Sequence, residues 1–413
     1  MTARAIRNVV IVTDHAHVNG GSGKVALAEA VALARSGLGV TVFSAVGPVD
    51  ARLCDEPNVN VVCLDDHDIL TDPRRLRAAT RGVWNVKAAR AMRAALAPLD
   101  PRHTVVHVHG WTKALSSSVL HSALLERFPT VMTLHDYFTI CPLGSLYNHR
   151  TQQICTLRPM SVRCALENCD SRSYAQKAWR YGRQLVQEVY AGVPARIRHF
   201  ITISDLSRSV LEPQMSRAAS FHPVANPIDV EPAGLADPGA NDAFSFVGRL
   251  SREKGAELFA TAAARIGAHA VFIGDGECAE GVRRAYPAAE VLGWLPPTEV
   301  ERRIRASRAV VFPSLWYETA GLVVKEAAAV GIPAIVPRTS AAREAIVDGQ
   351  TGLLFDRADP ADLAAKMRQL DDAQTARAMG RAAAEHFWAA PDVMEKHLRE
   401  LLDVYECVVR EAA

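Results

Sequence analysis

Residues 309–337, AVVFPSLWYETAGLVVKEAAAVGIPAIVP, decide the fold class of this chain. An apolar run at 309–314 is followed by a helical pattern that begins at Gly321 and ends at Gly331, and a second apolar run follows at 333–337. Runs that are apolar at nearly every position are typical of strands buried on both faces of a parallel sheet. The stretch therefore predicts a strand–helix–strand unit, the repeating element of α/β proteins.

The same alternation extends over most of the 413 residues. Further apolar runs lie at 8–14, 39–45, 60–64, 104–110, 130–134, 199–204, 243–248, 270–276 and 352–355. The segment 226–242 is dense in Pro, Gly, Ala and Asp, as a linker is. We therefore predict an α/β protein with two doubly wound, Rossmann-like domains, 1–225 and 243–392, that face each other across a ligand cleft. A final helix at 393–413 could pack on either domain, and it would cross back if it packs on the first.

Bulk composition restricts the function classes. The chain is 49% hydrophobic and 22% charged with a formal net charge of +2, so its overall field gives no reason to expect a nucleic-acid partner. No run approaches the ~18 consecutive apolar residues of a membrane-spanning helix. The first residues lead into a strand pattern instead of a signal peptide, and we expect a cytoplasmic protein. Its eight cysteines are then thiols or metal ligands in preference to disulfides.

A glycine-rich turn follows the first predicted strand. The segment GGSGKVA (20–26) opens a helix, so its backbone N–H groups could contact an anion without interference from Cβ atoms. A dinucleotide enzyme would also need a carboxylate near the end of strand two, where the chain reads TVFSAVG. A P-loop is excluded because Val18 and Val25 replace its first glycine and its magnesium-binding hydroxyl. The turn predicts an anion site or, alternatively, a tight bend that needs small residues.

The second half supplies two cations and two carboxylates near predicted helix starts. Arg249 and Lys254, in FVGRLSREKG (246–255), could hold a diphosphate without a metal ion. Glu318 precedes the helix of the opening stretch, and Glu326 lies in its second turn. Ionised carboxylates repel phosphate but accept hydrogen bonds from hydroxyls, so a nucleotide sugar, with its anionic middle and hydroxyls at both ends, fits the set. The alternatives are a solvated basic turn for the cations, a capping or salt-bridging role for Glu318, and a surface position for Glu326.

Six segments in this order make the chain similar to the retaining glycosyltransferases of family 4, which have the GT-B fold. They are GGSG (20–23), NPID (226–229), FVGRLSREKG (246–255), GDGE (274–277), GWL (293–295) and E-x7-E (318–326). The resemblance covers nearly the whole chain, and the combination is more specific than any single motif. It implies that the C-terminal domain binds a nucleoside diphosphate sugar and that the N-terminal domain mainly binds the acceptor.

The resemblance also implies roles for the matching residues. Glu326 would bind the ribose hydroxyls, and Glu318 would contact the donor sugar near its C3 and C4 hydroxyls. Arg249 and Lys254 would bind the diphosphate. Two backbone segments would approach the donor: Thr319, Ala320, Gly321 and Leu322 in the C-terminal domain, and Gly21, Ser22 and Gly23 in the N-terminal domain. His109 matches a histidine near the donor sugar, so the candidate catalytic residues are His109, Glu318, Arg249 and Lys254.

Three residues near the same predicted sheet edge have different expected roles. We expect His107 to face the opposite side of its strand from His109 and to be structural. His135 and Asp136 follow the next predicted strand and are candidate acceptor-cleft residues. A buried, hydrogen-bonded histidine is the alternative for each of these histidines.

The implied reaction moves a hexose-type sugar from a UDP- or GDP-sugar to a hydroxyl of a glycan or lipid-linked glycan. It would proceed by front-side attack with retention and would require no cofactor, because catalysis rests on stabilising the departing charge and orienting the acceptor. A sugar-nucleotide epimerase of the same fold and a non-enzymatic two-lobed sugar-binding protein are alternatives. The E-x7-E pattern favours transfer over the first, and the absence of an export signal disfavours the second.

A Cys-rich insertion at 141–174 departs from the family pattern and leaves the acceptor undetermined. Its four cysteines fall within 29 residues of irregular sequence: Cys141, Cys155, Cys164 and Cys169. Four thiolates could form a structural zinc site that holds such a loop together. Buried free thiols are the alternative.

Two charged segments have weaker implications. Residues 73–96 carry seven Lys or Arg and no acid, which predicts one basic amphipathic helix with an apolar set: Leu76, Val83, Trp84 and Met92. It could contact a membrane surface to reach a lipid-linked acceptor, or it could be an ordinary docked helix. DDHD at 65–68 contains an Asp-x-Asp that could hold a metal ion. It lies away from the donor motifs, and we expect an acidic loop.

Overall fold

Two all-parallel sheets form the core of the chain, which this computed structural model describes at residues 6–232 and 234–412. Nine strands precede residue 226: β1 (Asn8–Val12), β2 (Gly39–Ser44), β3 (Val59–Cys63), β4 (Thr104–Val108), β5 (Thr130–Thr133), β6 (Tyr147–Asn148), β7 (Gln153–Ile154), β8 (His199–Thr202) and β9 (Ser220–Pro223). Seven of them form one sheet in the order β3-β2-β1-β4-β5-β8-β9, while β6 and β7 pair antiparallel as a separate ribbon. The strand order reverses between β1 and β4, where such sheets open a binding crevice.

The second sheet has six strands: β10 (Ala243–Val247), β11 (Ala270–Ile273), β12 (Glu290–Gly293), β13 (Ser307–Val311), β14 (Ala334–Pro337) and β15 (Gly352–Phe355). Their order is β12-β11-β10-β13-β14-β15, with the reversal between β10 and β13. Both sheets thus follow the doubly wound pattern, and the predicted α/β class with two Rossmann-like domains is confirmed.

Helices cover both faces of the sheets. Those of the first half are α1 (Gly21–Arg35), α2 (Ala51–Cys54), α3 (Arg75–Val83), α4 (Val86–Leu96), α5 (Ser118–Leu125), α6 (Val162–Leu166), α7 (Tyr174–Leu185) and α8 (Asp205–Leu211). Those of the second half are α9 (Ala256–Ile266), α10 (Ala279–Ala285), α11 (Pro297–Arg305), α12 (Leu322–Ala329), α13 (Pro360–Gln369), α14 (Ala373–Ala389) and α15 (Met394–Ala412).

The apolar runs lack polar alternation because both of their faces are buried. In β1, Val9 and Ile11 pack in one cluster with α1 and α15, while Val10 and Val12 pack on the other side with α4 and α5. All four side chains are at most 1% exposed. Burying each contributes about 1.5–3 kcal/mol, so the central strand anchors both layers of the domain.

The stretch 309–337 folds as β13, α12 and β14. Its helix begins at Leu322, one residue later than predicted, because Gly321 adopts a φ of 116°. A Cβ atom at Gly321 would lie 2.6 Å from Cβ of Ala342, so only glycine fits this turn. The turn places the start of α12 next to Gly21 of the N-terminal domain.

The chain crosses between the domains twice, at 226–242 and again just before α15. In the first crossing Ile228 is buried against α12 and α14, and its N–H donates to the carbonyl oxygen of Asp392 in the second crossing at 2.7 Å. The helix α15 then packs on the N-terminal sheet through buried residues that include Leu401, Tyr405 and Val408. The last helix therefore belongs to the first domain's core.

Two sequence predictions need correction. The strands β9 and β12 were not predicted, because each lies at a sheet edge and has the mixed polar composition of a half-exposed strand. Residues 73–96 form two helices, α3 and α4, so the prediction of one helix is wrong. The break occurs at Trp84 and Asn85, where the Asn85 side chain accepts a hydrogen bond from the N–H of Ala88 and starts α4.

Candidate active site between the two domains

Two helix N-termini from different domains meet at the cleft. The helix α1 begins at Gly21 and α12 begins at Leu322. A Cβ atom at Gly21 would lie 3.7 Å from Cδ1 of Leu322. Both helices are preceded by glycine and lack a side-chain cap, so their first N–H groups have no partner within the helix. Together with the positive ends of both helix dipoles, these groups make the junction suited to an anion.

Two contacts join the domains near this junction, one made just before α12 begins and one made within α12. Thr319 Oγ1, before α12, donates a hydrogen bond of 2.8 Å to the carbonyl oxygen of His135. Glu326, within α12, lies 3.4 Å from Lys24 Nζ of α1. Both side chains of that ion pair are partly exposed, at 38% for Lys24 and 26% for Glu326. The pair is therefore a weak contact that a ligand can replace.

Glu318 is held by three donors that all reach the same oxygen. Its Oε2 accepts hydrogen bonds from Lys254 Nζ at 2.5 Å, Trp316 Nε1 at 3.0 Å and Ser314 Oγ at 3.1 Å. The Lys254 ammonium also lies 5.7 Å from the centre of the Trp316 ring, within cation–π distance. Glu318 does not cap α12, so the capping alternative is wrong, but its ion pair with Lys254 is the salt bridge that the other alternative expects. The predicted carboxylate and the predicted phosphate-binding lysine lie side by side.

Arg249 extends into solvent from the same sheet edge. Its side chain is 69% exposed, and its Nη2 donates to Glu253 Oε1 at 2.9 Å. Glu253 also accepts from Ser251 Oγ at 2.7 Å. Burial alone would raise the pKa of Glu253. The hydrogen bond from Ser251 and the Arg249 charge lower it by more than burial raises it, so the pKa lies below its usual value. The guanidinium is thereby oriented while most of its N–H groups stay free for a ligand.

The glycine motifs of the C-terminal domain converge at this edge through backbone hydrogen bonds. The N–H of Gly274 donates to the carbonyl oxygen of Gly293 at 2.8 Å, and the N–H of Leu250 donates to that of Asp275 at 2.9 Å. The Asp275 carboxylate accepts from the N–H of Trp294 at 3.0 Å. FVGRLSREKG, GDGE and GWL are thus three adjoining loops of one surface.

The histidines of the N-terminal domain surround a buried carboxylate. Glu29 of α1 lies 3.1 Å from His109 Nε2, 3.4 Å from His107 Nδ1 and 2.9 Å from His397 Nε2 of α15. The expectation that His107 and His109 face opposite sides is wrong, since their ring centroids are 4.0 Å apart. Residues two apart share one face of an extended strand, which explains why both rings reach Glu29.

His109 lies behind His135 as seen from the cleft. The His109 side chain is fully buried, and its Nδ1 is 3.0 Å from His135 Nε2. His135 is only half-buried and touches the C-terminal domain through its backbone. The group that reaches the cleft surface is therefore His135, with His109 and Glu29 in line behind it.

Burial and mutual proximity shift the pKa values of this cluster in opposite directions. Burial raises the pKa of Glu29, but His109 and His107 lower it more, so the carboxyl lies well below its usual range. Burial and His109 lower the pKa of His135 to about 3. Burial lowers the pKa of His397, yet its hydrogen bond to Glu29 raises it above 6.5 overall. A charged Glu29 with a neutral His135 is the arrangement at neutral pH.

Asp136 follows His135 and is the other candidate acceptor-cleft residue. Burial raises the pKa of its carboxyl to about 6. One oxygen accepts a hydrogen bond from the N–H of Phe138 at 2.9 Å. A carboxyl with this pKa exchanges a proton near neutral pH, which suits a group beside an acceptor hydroxyl.

The family follows from the sequence as a whole. Residues 20–226, half of the chain, match the family model described as "Glycosyl transferase 4-like domain". Residues 241–372 match the model described as "Glycosyl transferases group 1". The chain belongs to glycosyltransferase family 4. It is therefore an enzyme of sugar transfer, which decides against the sugar-binding protein and the epimerase.

Individual relatives and structures agree with this family. A protein named D-inositol 3-phosphate glycosyltransferase, from Paenarthrobacter aurescens (strain TC1), is 27% identical over 387 residues, which cover 89% of this chain and 88% of that protein. Sucrose-phosphate synthase from Thermosynechococcus elongatus matches with a TM-score of 0.72 at 18% identity over 98% of this chain and 100% of that one. Anabaena HepE in complex with UDP matches with a TM-score of 0.64 at 15% identity over 97% and 100%. These likenesses confirm the GT-B fold.

The two candidate metal sites of this glycosyltransferase, DDHD and the four cysteines of the insertion, have no metal-like arrangement of ligand atoms among the described residues. In DDHD, Asp66 pairs with Arg81 at 2.6 Å, and Asp68 accepts from the N–H groups of Leu70 and Thr71, as an acidic loop does. Among the described residues, two groups bring three metal-ligating atoms within 4.8 Å of one another: Glu29, His107 and His109, and His199, Cys407 and Glu411. The four cysteines of the insertion are free thiols and do not form such a group.

Sequence reasoning missed three features of the glycosyltransferase cleft. Glu29 and His397 have no motif, and only their tertiary contacts reveal them. Trp294 is 72% exposed beside the GDGE loop, a large apolar surface that GWL alone did not flag. A cavity of about 380 Å³ also lies at the N-terminus of α12, where Gly321 and Leu322 line it together with Asn226, Lys325 and the ends of β8 and β9.

Proposed function

We propose that this enzyme transfers a hexose-type sugar from a UDP- or GDP-sugar to a hydroxyl of a glycan or lipid-linked glycan, with retention and without a metal ion. The observation that carries the proposal is the opposition of the α1 and α12 N-termini, Gly21 against Leu322, at the sheet edge that also carries Arg249 and the pair of Lys254 with Glu318. Two helix dipoles and two cations can neutralise a diphosphate without a divalent ion. That HepE was solved with UDP, and that the Paenarthrobacter relative is named for inositol 3-phosphate, supports a nucleotide donor and a polyol acceptor.

Each donor contact is proposed from a group that is free or weakly held in the structure. The diphosphate would take the N–H groups of Gly21 to Gly23 and of Gly321 and Leu322. Arg249 has unused N–H groups for it, and Lys254 can turn from Glu318 towards it because its side chain is 24% exposed. Glu326 would exchange its weak pair with Lys24 for the ribose hydroxyls.

Glu318 is proposed to bind the donor sugar through the carboxylate oxygen that accepts no hydrogen bond from the protein donors. All three reach Oε2, so Oε1 can accept from the C3 or C4 hydroxyl. The carboxylate orients the sugar while it keeps Lys254 next to the leaving phosphate. Such positioning lowers the activation barrier most when the contacts become stronger in the transition state, where charge develops on the departing diphosphate.

The proposed chemistry is a front-side displacement at the anomeric carbon. The bond from that carbon to the diphosphate oxygen breaks, and the acceptor oxygen bonds to the same face. The acceptor proton passes to the departing diphosphate. The cations and helix N-termini stabilise that diphosphate charge, and His135, held by His109 and Glu29, would orient the acceptor or sugar hydroxyl at the cleft surface.

Contact with a membrane surface through α3 and α4 stays a proposal. Leu76 is 86% exposed, whereas Arg77 and Arg81 are paired with Asp72 and Asp66. The pairing weakens the attraction to anionic lipid that the sequence suggests. Within residues 6–232 and 234–412, none of the helices combines the length and the hydropathy of a membrane-spanning segment.

Nucleotide binding followed by donor turnover tests the proposed function. Thermal shifts with UDP, GDP, ADP and their glucose or mannose conjugates should show stabilisation by one uridine or guanosine diphosphate and its sugar. Slow release of that diphosphate from the sugar should follow, and it should accelerate with a polyol or glycan acceptor. Absence of binding by all of these at millimolar concentration would overturn the proposal, as would conversion of the donor to an epimer.

A further inference from the structure

The Cys-rich insertion encloses a buried lysine. Lys177 of α7 is 1% exposed, and its Nζ donates to Cys164 Sγ at 3.5 Å and also hydrogen-bonds the Cys169 thiol. No carboxylate of the described residues 6–232 and 234–412 lies within ion-pair distance of Lys177. Its other polar neighbour is the face of the Tyr181 ring, 6.0 Å away. The ammonium is thus surrounded by sulfur in a protein interior.

Two of the four cysteines, Cys164 and Cys169, contact this ammonium, and the other two lie near them. Cys141, Cys164 and Lys177 all lie close enough to Cys155 and to Cys169 to act on their charge. Cys164 and Cys169 are each 7% exposed. They come from separate pieces of the insertion, which has only the two-residue strands β6 and β7 and the short helix α6 as regular structure.

A buried ammonium without a counter-charge costs several kcal/mol. Neutral thiols are weak acceptors and bring no charge, so as thiols these cysteines cannot compensate Lys177. As thiolates they can, but four thiolates in one place need a cation of their own. A single divalent ion with four thiolate ligands carries a net charge of −2, which an adjacent ammonium partly neutralises through N–H···S bonds.

We propose that Cys141, Cys155, Cys164 and Cys169 bind one zinc ion as thiolates, with Lys177 as a hydrogen-bond donor to the sulfur atoms. Each sulfur would lie about 2.3 Å from the ion, closer than the metal-free arrangement, in which the thiols make no group within 4.8 Å. Binding releases the thiol protons and draws the four pieces inward around the ion. Zinc suits the site because it accepts four soft ligands in a tetrahedron and serves as a structural tether.

The proposed zinc site would fix the acceptor side of the cleft. Cys141 follows Asp136 by one turn, and its N–H donates to the carbonyl oxygen of Tyr137 at 2.7 Å. The tether therefore acts on the segment that carries His135 and Asp136, and it is remote in sequence from the donor motifs at 246–326. Loss of zinc should impair stability and acceptor use more than nucleotide binding.

Metal analysis of the purified full chain tests the site without any activity assay. We expect about one zinc per chain and little iron or sulfide, and cobalt exchange should give an intense thiolate-to-cobalt absorption band. Cys164→Ser should lower zinc content at least about fivefold, while Cys278→Ser, at a buried cysteine of the other domain, should keep it. Protein that folds with far less than one zinc per chain would overturn the proposal, and so would iron with acid-labile sulfide.

A lysine variant keeps the proposal testable if the cysteine variant does not fold. With zinc bound, Lys177→Met removes the donor to the thiolates, so zinc should be lost to a chelator faster and the melting temperature should fall. Without zinc, the same change removes an uncompensated buried charge and should raise the melting temperature. A rise would therefore contradict the zinc site.

Discussion

The two domains share one architecture but build their sides of the cleft differently. In the C-terminal domain Glu318, Lys254 and Arg249 are partly exposed and held by pairs that lie close to the sheet edge. In the N-terminal domain the cleft residue His135 is backed by a buried cluster that reaches Glu29 and His397, which are 368 positions apart in the chain. The C-terminal side of the cleft is made of groups that a ligand can rearrange, whereas the N-terminal side is held in place by the buried cluster.

This difference suggests a division of labour. Exposed ion pairs contribute little to stability and exchange readily, so Arg249, whose side chain is 69% exposed, can leave Glu253 and take up a charged donor. A buried hydrogen-bonded cluster is costly to perturb, so the N-terminal residues hold their geometry when a ligand binds. Substitutions should therefore change catalysis or donor affinity on one side, and both catalysis and stability on the other.

The largest effect is expected at Glu318. Glu318→Ala removes the proposed sugar contact and the partner of Lys254, so kcat should fall about 100-fold or more while the melting temperature changes little. Steady-state rates of nucleoside diphosphate release measure it. Glu318→Gln is the matched control, because it keeps acceptors for Trp316 and Ser314 and should recover part of the rate. A loss below threefold in Glu318→Ala would remove this residue from the site.

Glu29→Gln tests the buried side. We expect kcat to fall about tenfold and the free energy of unfolding to drop by about 3 kcal/mol, because three histidines lose their charged partner. Chemical denaturation and rate measurements give both numbers, and the pH profile of kcat/KM should shift if Glu29 acts through the histidines. Glu56→Gln, which alters a surface pair with Arg35, should cost less than about 1 kcal/mol. Equal effects of the two variants would contradict the fixed cluster.

Glu326→Ala should weaken donor binding with little change in kcat. Loss of the ribose contacts should raise the donor KM about tenfold. Lys24→Ala breaks the same pair between the domains without removing the carboxylate, so it separates the two functions of Glu326. Its KM should stay within about twofold. Parallel changes in both variants would mean that Glu326 serves the domain contact alone.

The smallest expected effect is a pH dependence of stability from His135. Its pKa is lowered from 6.5 to about 3 by burial and His109, so the unfolded chain binds a proton between these pH values that the folded chain does not. The free energy of unfolding should therefore fall as pH drops below 6.5. His135→Gln should flatten this slope relative to the exposed control His386→Gln. An unchanged slope in denaturation curves at pH 7 and pH 5 would contradict a neutral His135 in the folded chain.

The donor side was readable from the sequence because its signals are local. Continuous apolar runs predict buried parallel strands wherever they occur, and the E-x7-E spacing places both glutamates around one helix start. The edge strands β9 and β12 were not predicted because an edge strand has only one neighbouring strand and tolerates polar residues. The break at Trp84 and Asn85 escaped because a run of cations suggests one continuous helix, although an asparagine cap was present to mark the restart.

The buried side was not readable because its partners are distant in the chain. In the sequence Glu29 looks like an ordinary helix residue. Its partner His397 lies on α15, which crosses back from the other domain, so only the fold brings the two together. The period of two in a strand should have placed His107 and His109 on one face, and this information was in the sequence. Lys177 gave no signal either, since a lysine on a polar helix is normally exposed.

The central claim is that an anion lies between the α1 and α12 N-termini, and one pair of substitutions tests it directly. Gly21 is exposed and faces Leu322 at an ordinary contact distance, so a small side chain fits there. Gly21→Asp places a negative charge where the diphosphate should lie, whereas Gly21→Asn has the same size and no charge. Titration calorimetry with UDP and GDP should show at least about tenfold weaker binding of the preferred nucleotide in Gly21→Asp than in Gly21→Asn. Equal affinities in the two variants would contradict the account.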